Sequence, residues 1–314
     1  MKKTHLSVPT VCVGIPALNE EGNIAALITS ILKQRQMGFT LHSIVVVSDG
    51  STDQTVSIVR KLSEKHPVII CLHSAQRRGK AVALNKIYKK NQADLLLTMD
   101  ADIVFESNDE LTQMVAVLQT HPNTNLVGAR HVPVLPSSVW GKFAYYSYLS
   151  FEDAFLRWKN GHNYYAVMAA NVMRTTFAKS FSYPEGTVSD QCYLYAQATR
   201  NNQQGFRLVK SAHVLFRPVN TFMDWRLLGV RSTSGDKDDL AKHFGQDILS
   251  EIAIPKRLAY GAQLRWLIRH PFYMGGSIML NVLIRLFPYT KTNITGGMWE
   301  PTHSSKAAIP VNIQ

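Results

Sequence analysis

An α/β fold with a largely parallel sheet is what the first 130 residues of this 314-residue chain predict. Three observations carry it. Short apolar runs lack polar alternation, amphipathic helical patterns lie between them, and two aspartates, Asp100 and Asp102, follow one such run directly. Strands apolar on both faces are those covered on both sides, and strand–helix alternation implies parallel pairing through crossovers. In open sheets of this kind ligands bind beyond the carboxyl ends of the strands. Aspartates at i and i+2 in that position offer hard oxygens, which suit Mg²⁺ or Mn²⁺ holding substrate phosphates. For Asp-x-Asp alone a solvated acidic loop is the competing reading, so the rest of the chain must decide.

The elements follow in order. Residues 10–15 are β-branched and apolar, and Pro16 closes the run. From Glu20 the period turns helical, with Ile24, Ala25, Ile28 and Ile31 on one face. Residues 43–47 form the second strand; after the turn at residues 48–53, Ser51 or Thr52 is placed to cap a helix running to Lys65. A strand over 68–72, a basic helix over 80–90, a buried strand ending at Met99, a helix over 111–118 and a strand over 126–129 complete the half. The pattern is Rossmann-like and nucleotide-binding. It contains neither the Gly-x-Gly-x-x-Gly dinucleotide fingerprint nor a Walker A loop, which argues against a dehydrogenase or a P-loop NTPase.

Composition narrows the partners. The chain is 46% hydrophobic, enough for one large unit or two packed lobes, and carries 34 basic against 22 acidic residues, a net +12. Such an excess favours anionic partners: nucleotide diphosphates, lipid headgroups or nucleic acid. The basic residues are scattered and form no recognised nucleic-acid module, so no nucleic acid is expected. The start of the chain is polar and leads straight into a strand, so no secretion is expected. Cys12, Cys71 and Cys192 are widely spaced and read as buried hydrophobes in a reducing, cytoplasmic setting.

Three further segments fall after strands, on the rim that holds the two aspartates. They are Pro16-Ala17-Leu18-Asn19-Glu20-Glu21, Asp49-Gly50-Ser51-Thr52-Asp53 and Arg77-Arg78-Gly79-Lys80. Arg78, Gly79 and Lys80 put cations and a flexible backbone at a helix N-terminus, where amides favour anions. Asp49 is placed to accept from a base N–H. In order and spacing, these segments with Asp100-Ala101-Asp102 resemble family 2 glycosyltransferases of the GT-A fold, over roughly residues 9 to 235. The resemblance implies a nucleoside loop at Pro16, Ala17, Asn19 and Glu20, and a nucleobase contact at Asp49. It further implies a diphosphate site at Arg78, Gly79 and Lys80, ribose or metal at Asp100, and metal at Asp102.

The second half supplies the acceptor side by the same resemblance. Residues 164–174 look like the strand and small-residue turn beneath the donor sugar. Asp190 matches the general base at a helix start, with Ser189 where the family commonly has an acid; an Asp there is otherwise a helix cap. Arg231 is the one agreeing position of the Gln-x-x-Arg-Trp signature, since Leu228 and Ser232 replace Gln and Trp. It is a candidate diphosphate clamp, and the missing Trp argues for addition of single sugars rather than polymerisation. His213 is a candidate third metal ligand, with a hydrogen-bonded histidine as the competing reading. The expected division is a catalytic domain over 1–235 (nucleotide-sugar half about 9–130, acceptor half about 131–235), C-terminal helices over 236–290 and a loose tail over 291–314.

Residues 258–289 are apolar and basic but too short and too polar to span a bilayer; they suit an interfacial helix on an anionic membrane or a helical pair packed on the catalytic lobe. The implied reaction is inverting transfer from a nucleotide-diphospho-sugar, UDP-linked by default, to a glycan or polyprenyl-lipid acceptor in envelope or exopolysaccharide synthesis, with Mg²⁺ or Mn²⁺. A sugar-phosphate nucleotidyltransferase is the competing class, though its early glycine-rich phosphate loop is absent.

Overall fold

The computed structural model describes residues 8–187, 189–233 and 236–286, together with Lys306 and Ile309. Its centre is an eight-stranded sheet. The first half supplies β1 (Thr10–Ala17), β2 (Thr40–Asp49), β3 (Ile69–Ser74), β4 (Leu95–Met99), β5 (Ile103–Phe105) and β6 (Leu126–Pro133). Helices α1 (Ile24–Leu32), α2 (Thr55–Lys65), α3 (Lys80–Lys90) and α4 (Glu110–Thr120) connect them. After α5 (Val139–Arg157), β7 (Ala170–Arg174), α6 (Thr175–Ala178), α7 (Asp190–Thr199) and β8 (Phe206–Phe216) close the sheet. Helices α8 (Phe222–Thr233), α9 (Asp236–Phe244), α10 (Asp247–Glu251), α11 (Lys256–Arg269) and α12 (Pro271–Leu286) follow.

The strand order is β3-β2-β1-β4-β7-β6-β8-β5. The first four strands are parallel, as the uninterrupted apolar runs require. The reading of residues 126–129 as the next strand of that series is corrected: β7 enters between β4 and β6 and is antiparallel to both. Met99 thereby faces Ala170, and the backbone after β4 is held by a 2.8 Å bond from the Asp100 amide to the Ala169 carbonyl. That bond fixes where the first aspartate leaves the sheet.

Two apolar cores cover the faces. On one, Leu27, Ile28 and Ile31 of α1 pack with Val13, Ile44 and Leu97. On the other, Leu84 and Ile87 of α3 pack with Val45, Leu96 and Tyr195. Gly14 explains how closely α3 approaches: a Cβ there would lie 2.2 Å from Ile87 Cγ2. Leu240 of α9, Ile248 of α10 and Ile252 at the C-cap of α10 join this second core. On the α1 face Leu27 takes the inward place expected of Ala25, which is exposed. The β1 ladder continues through Pro16 to Ala17, since a proline near a strand end need not donate.

Candidate active site

The loops after β1 and β2 are laced together. Asn19 stands at φ 53°, a left-handed backbone that asparagine tolerates, and its Oδ1 accepts from the Thr52 amide at 2.8 Å. The Glu20 amide donates to Thr55 Oγ1, and Glu21 and Asp53 exchange bonds with the facing loop. The expected cap at Ser51 or Thr52 is not observed. Gln54 stands at the N-cap of α2 without a side-chain cap bond, and Asp53 Oδ1 accepts from the Thr55 amide and hydroxyl instead. Ser51 serves the lacing, accepting from the Asn19 amide at 3.1 Å.

Asp49 ends β2 and is buried. Its carboxylate accepts from the amides of Arg78, at 2.9 and 3.1 Å, and Gly79, at 2.7 Å. In this structure it therefore organises the loop before α3 rather than standing open toward a base. Gly79 makes that possible, with φ 98°, a conformation closed to side-chain-bearing residues. The Arg78 guanidinium reaches Glu185 at 3.4 Å across the rim, both groups being exposed.

Lys80, the first residue of α3, is the hinge of the cluster. Its ammonium lies 2.7 Å from Asp100 Oδ1 and 3.0 Å from Asp190 Oδ2. Residues widely separated in sequence thus meet at one cation. Asp190 is not the cap of α7: the Ser189 hydroxyl accepts from the Cys192 amide, which leaves the Asp190 side chain to face Lys80. Burial opposes the lysine charge, but the two carboxylates raise its pKa above the ordinary ammonium range. Burial, with the neighbouring Asp190 and Asp102 charges, lifts Asp100 to about 6 against the pull of Lys80. Asp102 is raised as well, by burial and by Glu20.

Glu20 faces the opposite side of the cluster, and its partner was not visible in the sequence. Lys306, from the tail expected to be loose, places Nζ 3.0 Å from Glu20 Oε1 and 2.8 Å from the Asn19 carbonyl, and also meets the Leu18 carbonyl. Burial pushes the Glu20 carboxyl up, opposed by the Lys306 charge. Ile309 is buried in the core on the α1 face. No local pattern around residue 306 signals the contact; it depends entirely on tertiary placement.

One expectation changes here and one lies outside the described side chains. His213 sits on β8 beside the end of β5 remote from Asp102, with Nδ1 2.6 Å from Glu106 and Nε2 2.9 Å from the Lys210 carbonyl. Both ring nitrogens are engaged, so it is a hydrogen-bonded histidine and not a metal ligand. Arg231 falls on α8, but its side chain lies outside what the structure describes. A histidine the sequence reading passed over, His131, is buried, pushed down to about 3, and its Nε2 accepts from the Ala169 amide. It braces the same turn that holds Asp100.

The donor set fits a hard divalent cation. Among the described residues Asp102 forms no ion pair, and Lys80 and Lys306 neutralise its acidic neighbours. No group of three or more His, Cys, Asp or Glu side chains is arranged for a metal among the described residues. Two carboxylates with substrate phosphates completing the shell is the arrangement usual for Mg²⁺.

Comparisons with known proteins identify the family and the fold. Residues 12–178 match the family described as glycosyl transferase family 2. Over 96 residues the chain is 30% identical to a β-monoglucosyldiacylglycerol synthase of Synechocystis, covering 30% of this chain and 20% of the relative. Over 150 residues it is 25% identical to a poly-β-1,6-N-acetyl-D-glucosamine synthase of Staphylococcus epidermidis, covering 48% and 35%. The chain thus spans less than half the length of these relatives. Among solved structures it resembles a mannosyltransferase of Pyrobaculum calidifontis in complex with GDP-Man and Mn²⁺, with a TM-score of 0.57 and 19% identity over 90% of this chain and 76% of the other. It also resembles a glucosyl-3-phosphoglycerate synthase of Mycobacterium tuberculosis in complex with Mn²⁺ and UDP-glucose, with a TM-score of 0.53 and 19% identity over 76% and 80%.

Proposed function

We propose that this chain, which belongs to glycosyl transferase family 2, is an inverting transferase that moves one sugar at a time from a nucleotide-diphospho-sugar to an acceptor hydroxyl or lipid phosphate in envelope glycan synthesis. The observation that carries the reading is the convergence of Lys80, Asp100 and Asp190 from three separate motifs. The laced loop at Pro16, Ala17, Asn19 and Glu20 would hold the nucleoside, with Asp49 fixing the diphosphate loop at Arg78, Gly79 and Lys80. Asp100 and Asp102 would hold Mg²⁺ or Mn²⁺, as suits the metal-bound structural neighbours. Bound there, the cation would supply charge stabilisation to the departing nucleoside diphosphate.

The chain's own residues do the rest. A donor diphosphate competes for the Lys80 ammonium, which then offsets charge on the leaving group. As Lys80 turns to phosphate, Asp190 is released to take the proton of the acceptor hydroxyl that attacks the anomeric carbon. Arg231 is assigned to the same diphosphate. The acceptor is a glycan or a polyprenyl lipid, and relatives acting on lipid and on polysaccharide support both.

Contact with an anionic membrane, at its cytoplasmic face, belongs to the same reading. No helix among the described residues is long and apolar enough to cross a membrane. Helices α11 and α12 pack on α5 yet turn Tyr260, Leu264, Ile268, Phe272 and Met279 outward, with Ile268 72% exposed. Exposed Lys256, Arg257 and Arg269 border that stripe, as an interfacial surface requires.

A panel of nucleotide sugars, with Mn²⁺ or EDTA and with or without membranes, tests the proposal. Metal-dependent release of nucleoside diphosphate is expected. Release of pyrophosphate from a nucleoside triphosphate and a sugar phosphate would make the chain a nucleotidyltransferase instead.

A further inference from the structure

The side chain of Asn85 ties α3 to the loop that precedes α7. Its Nδ2 donates to the Tyr183 carbonyl at 2.8 Å, and its Oδ1 accepts from the Tyr183 amide at 2.9 Å. A primary amide carries both a donor and an acceptor, so one side chain fixes the Tyr183 backbone on both sides. The Tyr183 ring continues the connection. Its centroid is 5.7 Å from that of Tyr88 on α3 and 5.4 Å from that of Tyr193, which lies one turn after Asp190 in α7. Phe181 packs against the same three rings, and the Tyr88 and Tyr183 hydroxyls bond at 3.1 Å in the interior. Tyr183 is thus a wedge between two helices, and the first residues of those helices are Lys80 and Asp190.

Two ionic contacts hold the same loop to α3 and the turn before it: Lys80 with Asp190 and Arg78 with Glu185. Both use cations that the proposed function gives to the donor diphosphate. When phosphate takes those cations, the two ionic contacts are given up. The uncharged tie through Asn85 and the wedge behind it do not compete with phosphate, so they stay. They are then what keeps Asp190 within reach of an acceptor, and a base must be within hydrogen-bond distance of the proton it takes.

We infer that Asn85 is a positioning residue for Asp190: through Tyr183 it holds the turn that starts α7 while donor phosphate occupies Lys80 and Arg78. The inference rests on the proposed function for the roles of Lys80 and Asp190.

The test is amide hydrogen exchange on the full chain, with and without Mn²⁺ and UDP or, in turn, GDP. In the unsubstituted chain nucleotide should slow exchange in peptides over 16–20 and 77–80 and leave peptides over 186–193 unchanged. Asn85 is half-buried on a helix, so Asn85→Ala should fold. In that variant the same nucleotide should speed exchange over 186–193 by about tenfold, the weight of the lost hydrogen bonds. Hydrolysis of UDP-glucose with Mn²⁺ should lose about tenfold in kcat with donor KM unchanged. In an Asp190→Asn background Asn85→Ala should cost nothing further. Tyr88→Phe combined with Tyr183→Phe keeps the rings and removes both hydroxyls together, so both readouts should stay within about twofold of the unsubstituted chain.

A kcat loss that persists in full in the Asp190→Asn background would overturn the inference, because Asn85 would then serve general stability. So would a loss in the paired phenylalanine variant as large as that in Asn85→Ala, since the hydroxyls rather than the backbone tie would hold the turn. Exchange separates the remaining outcomes. If nucleotide protects 16–20 and 77–80 but does not speed 186–193 in Asn85→Ala, only the role of Asn85 fails. If neither nucleotide protects those two segments, the donor site of the proposed function fails first and the inference falls with it.

Discussion

Lys80 carries more of the proposed chemistry than any other single residue, because it touches both the acid assigned to the metal and the acid assigned to the base. Asp190→Asn should keep the fold and lose roughly 10²- to 10⁴-fold in kcat, the range of a general base, measured as transfer with donor saturating. Asp100 gives a pH signature. Its carboxyl titrates near 6 in the folded chain against an ordinary 3.8, so the folded state takes up the proton first. Above pH 6 the buried charge costs stability, and the cost shrinks as pH falls toward 4. Cation binding runs the other way, since it needs the carboxylate. Calorimetric Mn²⁺ affinity should be about fourfold weaker at pH 5.5 than at 7.5, and Asp100→Asn should flatten that dependence. Lys306 is a residue no motif could reveal, because its three acceptors lie at positions 18–20. Lys306→Met would leave Glu20 without its cation and free the nucleoside loop. A rise of about tenfold in donor KM with little change in kcat is expected, and recovery in Lys306→Arg. An unchanged KM would mean that the contact does not serve the donor.

At the scale of elements, what could be read from sequence was what local pattern decides. The bounds of α3 and the end of β4 agree with the structure because a glycine and an aspartate punctuate them and their apolar periods are unbroken. The antiparallel entry of β7 was not legible, since Ala170–Arg174 has a composition that suits either direction and the choice is made by its neighbours. Strand β5, only Ile103–Phe105, is too short for any period to declare it. The four-motif rim survived these errors because each motif needs only the end of its own strand. The loop before α3 offers a test at this scale. Gly79→Ala forces a side chain onto φ 98° and should cost about 1–3 kcal/mol, seen as a lower Tm together with weaker nucleotide binding. Ser189→Ala removes the cap of α7 at a cost of about 1 kcal/mol and should also lower kcat, because the same turn aims Asp190.

Across the whole molecule, two features of opposite character coexist: a net charge of +12 and a stripe of outward apolar side chains on α11 and α12. The sequence reading left open whether these helices lie on a membrane or pack on the catalytic lobe. In the structure the inner face of the pair is committed to α5, with Arg265 held on Asp153 at 2.7 Å and Tyr146 stacked on Tyr273, while the outer face keeps its apolar residues. Packing and membrane contact are therefore not exclusive, because they use different sides of the same helices. The two contributions to vesicle binding separate by their response to salt. Charge attraction is screened within about 8 Å at physiological ionic strength, whereas apolar insertion is not. Raising salt should weaken flotation with anionic vesicles only partly. The double substitution Leu264→Glu and Ile268→Glu, at sites 58 and 72% exposed, should leave Tm nearly unchanged yet weaken flotation about a hundredfold at any salt. Binding abolished by salt alone and indifferent to those substitutions would reduce the membrane contact to net charge and leave the apolar stripe without a role.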